Sequence, residues 1–563
     1  MKERIAIILK KVFGADISVE LSVPEEPDFG HYATNLAMRL AKKEGKAPFA
    51  LAEELAEKIR SAAPAGFFEK VEAAKPGFIN FWVSPETLRE ELGRAVKEKE
   101  YGRGAGGRGK TVIVEYSQPN IAKMMHVGHM RTTIIGDALA NLFSFSGYKV
   151  IRWNYLGDWG TQFGKLIAAY KLWGDKDAVK KDPITELQKL YVRFHDEIKA
   201  DPELERRGQE EFKKLENGDK ENRALWEWFR KESLKVFEET YRTLGVTFDV
   251  WIGESFFEPE MRSIVKELLD ADIAERSEGS IIVRLDAEGL PPALIEKTDG
   301  ASLYLTRDIA NLRYRLRKYK PAKILYVVGN EQALHFEQLF AIAKMLKLDS
   351  AELAHIKYGL VLGEAGKKLA TREGRTVLLA DVLRKATELT RRIVEEKNRE
   401  LSGKEKDEVA RVVALGALKY NDLKENRMTD IVFDWDKMLD FTGDSAPYLQ
   451  YTYARFASIL RKAGKQGKAD YGLLAAEPEL ALMRRIFEFP EAAEKAATLY
   501  STSTLATYLY RLAVTANRFY ETTPIMKDEN SSRRDARLVL AAATMKTLRT
   551  GLGLLGIATL EKI

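Results

Sequence analysis

The chain has no cysteine, which excludes disulfides, thiolate nucleophiles and cysteine-based zinc or iron–sulfur sites. That composition suits a reducing compartment. No apolar run approaches the length of a membrane span, so no membrane partner is expected. The opening MKERIAIILKKVFGAD mixes charge with apolar residues at helical spacing, unlike the unbroken core of a signal peptide. No GxxxxGK[ST] segment occurs, so any bound nucleotide must be held without a Walker lysine loop. Histidine is scarce as well, with six in 563 residues. Yet His126 and His129 sit three apart around Gly128, in EYSQPNIAKMMHVGHMRTTIIGDALANLF.

What is present reads as a soluble globular protein, at 45% hydrophobic and 31% charged residues. A length of 563 residues exceeds one hydrophobic core and predicts two to four domains. The net charge of +6 permits an anionic partner, but it matters only where positive side chains cluster.

Residues 1–108 read as a separate α+β module. Its helical spacing breaks at Gly45 and Pro48, GFINFWVS (77–84) is strand-like, and YGRGAGGRGK (101–110) reads as a flexible connector. TVIVEYS (111–117), the helical VGHMRTTIIGDALANLFSFSG and the strand-like YKVIRWNYLGD form a βαβ unit, hence a parallel sheet. AKILYVVGNEQ (322–332) and HIKYGLVLGE (355–364) repeat the pattern of a strand running into a polar turn. Ligands of such sheets gather at the carboxyl ends of strands, and both histidines lie just past one. A lysine- and glutamate-rich helical insertion spans about 165–251. From about residue 376 strand signals fade, predicting an all-α C-terminal bundle.

At i and i+3, the two histidines share one side of a helix's first turn. They could simply cap and pack. A metal would need further ligands in register, and none follows, so no metal site is expected. They could also serve an anion site, where free helix N–H groups and imidazole donors meet phosphates. Gly128 would then let a flat base lie against the backbone.

The segments SQPNIAKMMHVGHMRTTIIGDAL, NYLGDWGTQFGKL, DGASLYLTRDIAN, GDSAPYLQYTYAR and NRFYE resemble those of the arginyl-tRNA synthetases, with HVGH matching the HIGH motif of class I. PDFGHYATNLAMRLAKK, KPGFINFWVS and the terminal GLGLLGI continue the likeness in order along the chain. The resemblance implies a Rossmann-like catalytic domain over 109–435, an added N-terminal domain over 1–108 that meets the tRNA elbow, and an anticodon-binding bundle over 436–563. It also implies L-arginine, ATP and tRNA(Arg) as substrates, Mg2+ on the phosphates, a cytoplasmic location and a monomer.

The guanidinium is a planar cation with donors in a fixed fork, so its pocket needs carboxylates and hydrogen-bonding side chains. The family's ligands for it match Glu115, Tyr304 and Asp308; those for the α-amino and carboxylate groups match Asn120 and Gln332. Singly, Glu115 could be a surface charge, and Asp308 could pair with Arg307 or Arg313. His126, Gly128 and His129 would face ATP. The family's mobile lysine motif is degenerate here, KKLATREG, with Lys368 and Arg372 as its cations; Lys123 could supply the missing charge from the other side. Tyr448, Gln450, Tyr451 and Arg455 combine stacking and hydrogen-bonding capacity for unstacked bases. The basic run RYRLRKYKPAK (313–323) could meet phosphates or form a solvated helix face. Two rival readings stand beside the arginyl-tRNA synthetase one: a different class I synthetase or a small nucleotidyltransferase, and a non-catalytic synthetase paralogue that binds RNA.

Overall fold

A computed structural model describes residues 1–24, 26–297, 304–363, 377–464 and 467–563. The N-terminal region packs the helices Lys2–Phe13, Leu36–Glu44, Pro48–Ala62 and Pro85–Lys97 against an antiparallel sheet in the order Tyr32–Thr34, Phe78–Val83, Phe68–Ala74. The helix break expected at Gly45 and Pro48 has two causes. Gly45 closes one helix in the left-handed conformation at φ +64°, and Pro48 opens the next, where its missing N–H is harmless. The glycine-rich stretch after it is no flexible connector. Gly104 and Gly107 donate to the carbonyls of Phe145 and Ser146, at 3.0 Å each, and a Cβ on Gly107 would lie 2.0 Å from the Tyr148 ring. The glycines there serve close docking.

The central sheet is parallel throughout, in the order Glu352–His355, Lys323–Tyr326, Thr111–Glu115, Lys149–Leu156, Val250–Gly253. The strand expected over 355–364 is displaced. His355 is the last residue in register with its neighbour, and the apolar continuation finds its partner elsewhere, where Val361–Leu362 pairs with Ile431–Val432. A sheet strand can extend only as far as the strand beside it.

The insertion is helical as expected, with Thr161–Trp173, Lys176–Lys181, Pro183–Glu197, Glu203–Glu216 and Lys220–Leu244. A small antiparallel sheet, Glu275–Ser277, Ser280–Val283 and Ala293–Glu296, follows it unforeseen; strands of three and four residues carry almost no periodic signal. Beyond it come helices Tyr304–Tyr319 and Ala333–Met345. The C-terminal region comprises helices Leu379–Lys397, Gly403–Leu423, Ala446–Ala463, Glu477–Phe487, Phe489–Thr498, Thr502–Thr522 and Ser531–Leu554. LALMRRIFEFPEAAEKA forms two helices rather than one, because Pro490 can open a helix but not continue one.

Helix Val127–Phe145, which begins at HVGH, is buried along most of its length and joins these regions. Its Arg131 is fully buried. The guanidinium meets Asp422 Oδ1 at 3.2 Å and donates to the carbonyls of Leu360 (3.0 Å), Arg427 (3.1 Å) and Thr429 (2.9 Å). Lys419, also buried, donates to the Gly556 carbonyl at 2.6 Å within the terminal GLGLLGI. The C-terminal helices are thus bonded to the first helix of the sheet domain.

Candidate active site

Strand Thr111–Glu115 delivers the chain into a tight loop in which Ser117, Gln118 and Ala122 take positive φ. Neighbouring elements hold this shape, which side chains other than glycine rarely adopt. The N–H groups of Ser117, Ala122 and Met124 donate to Thr132 Oγ1 (3.1 Å), Ser233 Oγ (2.9 Å) and Gln188 Oε1 (3.0 Å). Asn120 lies across from Gly157 at the end of the next strand, where a Cβ would come within 2.1 Å of the Asn120 side-chain oxygen.

At the start of the following helix the two histidines cap each other's backbone. The Gly128 N–H donates to His126 Nδ1, and the His126 N–H donates to His129 Nδ1, both at 3.1 Å. The rings sit 3.9 Å apart. An Nδ1 that accepts leaves the proton of the neutral ring on Nε2, which makes Nε2 the donor of the His129 imidazole. Burial above all, then His126 and Lys123, pushes the His129 pKa down to about 3, so it donates as a neutral group. Capping and anion binding are therefore compatible here. Gly128 has a nearer reason than a nucleotide base: a Cβ there would stand 2.9 Å from the His126 ring.

Lys123 is half-buried, and burial lowers its pKa. Its ammonium lies 5.2 Å from the centre of the Tyr191 ring, and among the described residues no carboxylate pairs with it. Lys368 and Arg372 lie outside the described residues.

The acidic side of the site is crowded. Glu115 is buried; one carboxylate oxygen pairs with Arg315, and the other accepts from Gln118 Nε2 at 2.7 Å. Arg315 is itself fully buried, its guanidinium 4.4 Å from the Trp153 ring and 5.4 Å from that of Tyr326. Glu115 is thus no surface charge. Asp308 pairs with neither Arg307 nor Arg313 but with His335, whose Nε2 lies 2.6 Å from its Oδ2. Arg313 takes Glu267 at 2.8 Å, and Arg307 takes Glu254 and Glu258 at 3.7 and 3.5 Å. The Tyr155 hydroxyl lies among these groups: burial first, then the carboxylates of Asp308, Glu254 and Glu115, raises its pKa. Burial, only partly offset by Arg307, pushes Glu254 up to about 8. Tyr304 is exposed at the first position of the Asp308 helix, one turn from it, and Gln332 is exposed in the turn after Lys323–Tyr326.

In the basic run 313–323, Arg313, Arg315 and Lys323 are taken by Glu267, Glu115 and Glu352, while Arg317, Lys318 and Lys320 are exposed. Along Ala446–Ala463 the helical period separates the RNA candidates. Tyr451 is exposed, and Arg455 stacks between it and Tyr520 at 5.0 and 4.7 Å, in a groove of about 920 Å³. Tyr448 is half-buried and accepts from Asn517 Nδ2 at 3.0 Å. Gln450 does not belong with them: it faces the core, fully buried, and donates to the Ala558 carbonyl at 2.7 Å.

Sequence reasoning missed His335, Arg315, Tyr155 and Tyr191. His335 was the most accessible of these, a scarce residue at the same strand-end turn as Gln332.

Residues 91–435 match the family model described as tRNA synthetases class I (R), catalytic domain. Together with the parallel sheet and the HVGH helix, this places the chain among the class I aminoacyl-tRNA synthetases. Residues 1–83 match the Arginyl tRNA synthetase N terminal domain, and 449–563 the DALR anticodon binding domain. The arginine–tRNA ligase of Halothermothrix orenii is 42% identical, over 100% of this chain and 99% of that protein. The Clostridium perfringens arginine–tRNA ligase is 44% identical, over 96% of each. Among solved structures, Thermus thermophilus arginyl-tRNA synthetase superposes with a TM-score of 0.83 at 29% identity, covering 100% of this chain and 99% of that one. The chain belongs to the arginyl-tRNA synthetase family.

Proposed function

We propose that this chain catalyses the ligation of L-arginine to tRNA(Arg) in two steps. The arginine carboxylate attacks the α-phosphorus of ATP and expels pyrophosphate; the terminal 2′-hydroxyl of the tRNA then attacks the arginyl-adenylate and releases AMP. Neither step needs a protein nucleophile, so the work is positioning and charge stabilisation. The observation that carries this reading is the proximity of Glu115, Asp308 and Glu254 beside a helix start where His129 offers a neutral imidazole donor.

The substrate guanidinium is proposed to lie between Glu115 and Asp308, with Tyr304 beside it and Asn120 and Gln332 toward the α-amino and carboxylate groups. Arg315 and Gln118 fix the Glu115 carboxylate without filling all of its lone pairs. Asp308 gives up part of its bond to His335 when the fork arrives. His126 and His129 donate through Nε2 to ATP, and Lys123 meets the phosphates, with Lys368 and Arg372 proposed as further cations for them. Mg2+ is proposed to arrive on the phosphate oxygens; among the described residues no group of His, Asp and Glu is placed to cage a metal. Tyr451 and Arg455, with Tyr448 alongside, are proposed for the anticodon bases, and residues 1–108 for the tRNA elbow. The division into 1–108, 109–435 and 436–563 is proposed on the family-model matches near those limits. A cytoplasmic monomer is proposed with it; no helix among the described residues is long and apolar enough to cross a membrane.

Arginine-dependent ATP–pyrophosphate exchange, run with and without tRNA(Arg), tests the reading. Exchange is expected with arginine, and dependence on tRNA is expected from the family. No exchange in either condition would favour the RNA-binding paralogue, and exchange with another amino acid would reject the pocket assignment.

A further inference from the structure

In helix Pro183–Glu197 of the insertion, Gln188, Tyr191 and His195 stand at i, i+3 and i+7, on one face. That face meets the loop leading into HVGH. Gln188 Oε1 accepts the Met124 N–H at 3.0 Å, fixing the backbone one residue after Lys123. The Lys123 ammonium lies 5.2 Å from the Tyr191 ring centre. His195 backs the same ring edge-on at 4.5 Å, and its buried Nε2 has no hydrogen-bond partner among the described residues. Tyr191 also lies close enough to Tyr304 to perturb its hydroxyl.

We infer that Tyr191 is a positioning residue for Lys123, holding that ammonium ready for the ATP phosphates by its ring face. The physical reason lies in what the partner leaves available. A carboxylate would hold the ammonium more tightly, but it would neutralise it and compete with the incoming polyphosphate. An aromatic face attracts the cation through its quadrupole while leaving the ammonium hydrogens free and the charge whole. A half-buried lysine with no such support would withdraw toward solvent or lose its proton. The helical insertion thereby takes part in nucleotide activation, in a chain whose lysine loop lacks one of the family's cations.

The inference rests on Lys123 as a phosphate ligand, so the test separates the two ideas. Tyr191→Leu, Tyr191→Met, Tyr191→Phe and Lys123→Met are made, with both non-aromatic Tyr191 variants repeated in the Lys123→Met background. Each protein is assayed by pyrophosphate exchange with tRNA present, and its folding is checked by thermal melting. Leucine and methionine preserve the bulk, so one poorly folded variant does not decide the matter. The non-aromatic variants are expected to lower kcat/KM for ATP about 3- to 30-fold, the range of a cation–π contact. Arginine KM should be unchanged, and Tyr191→Phe should stay within about twofold of wild type. In the Lys123→Met background the loss should vanish. An equal loss in that background would make Tyr191 a packing residue and overturn the inference. So would a Tyr191→Phe as damaged as Tyr191→Leu, which would assign the effect to the hydroxyl. If Lys123→Met alone leaves kcat/KM for ATP unchanged, the phosphate role of Lys123 falls and takes the inference with it.

Discussion

At Asp308 two hydrogen-bond donors, His335 and the substrate guanidinium, compete for one carboxylate. His335 holds it in the free site, through a bond that raises the histidine pKa against the opposing effect of burial. Removing the carboxylate by Asp308→Ala is expected to raise arginine KM by about 10- to 150-fold, the loss of a charge-assisted hydrogen bond. Steady-state exchange kinetics measure it, and an unaltered KM would take Asp308 out of the pocket. Glu115 illustrates what could and could not be read from residues alone. Its place at the exit of an apolar run was legible, and so was its chemical suitability. Its actual neighbour, Arg315, lies 200 positions away on a helix whose sequence reads only as basic. A buried guanidinium and a solvated one look identical until packing decides between them. A second titration can be followed far from the site. His31 accepts the Val83 N–H through Nδ1 at 2.9 Å, and burial first, then Arg484, pushes its pKa down to about 4. The unfolded chain binds that proton from about pH 6.5 downward while the folded chain does not, so stability is full above 6.5 and falls as pH drops toward 4. Between pH 7 and 5, His31→Gln is expected to lose about 1–2 kcal/mol less stability than wild type. Urea midpoints at the two pH values measure the difference.

The helix that begins at HVGH is the element on which the regions converge. Arg131 carries an ion pair and three carbonyl contacts without access to water, so Arg131→Met strands Asp422 and several carbonyls together. A loss of about 3–5 kcal/mol is expected. The double variant Arg131→Met with Asp422→Leu should recover part of it, as thermal melts can show. Elements were legible in proportion to their length. The long amphipathic helices and the first two sheet strands announce themselves by period. The strand Glu352–His355 was misplaced because its apolar text continues past the register its neighbour allows. The three short strands between Glu275 and Glu296 were invisible for want of residues. Helix Ala446–Ala463 lies where an all-α bundle was expected, but which of its side chains face outward was not legible. Period alone cannot say which stripe a second helix will cover.

Across the whole molecule, the groove around Arg455 and the pocket around Glu115 belong to regions that share buried contacts, so RNA binding and chemistry can be separated only by choosing residues on either side of the core. Tyr451→Ala or Arg455→Ala is expected to raise tRNA KM about 5- to 100-fold, the scale of one lost stacking platform, with arginine and ATP constants little changed. Gln450→Ala should instead lower the melting temperature and leave tRNA KM near wild type, because its amide holds Ala558 inside the fold. Aminoacylation assays over a tRNA range distinguish these outcomes. The order of regions along the chain was plain from the sequence. How the C-terminal helices bond to the first sheet helix, through Asp422 and Arg131, was not, because one aspartate in a helical run carries no mark of burial.

The reciprocal caps at His126 and His129 have a last consequence. With each Nδ1 turned inward on a main-chain amide, the rings present fixed dipoles, and His129 has no proton to gain at any pH near neutrality. Acidification of the surroundings should therefore leave the His129 ring of the nucleotide site unaltered. Sensitivity to pH in that range is expected across the cleft instead, at His335 with its Asp308 partner and at Glu254.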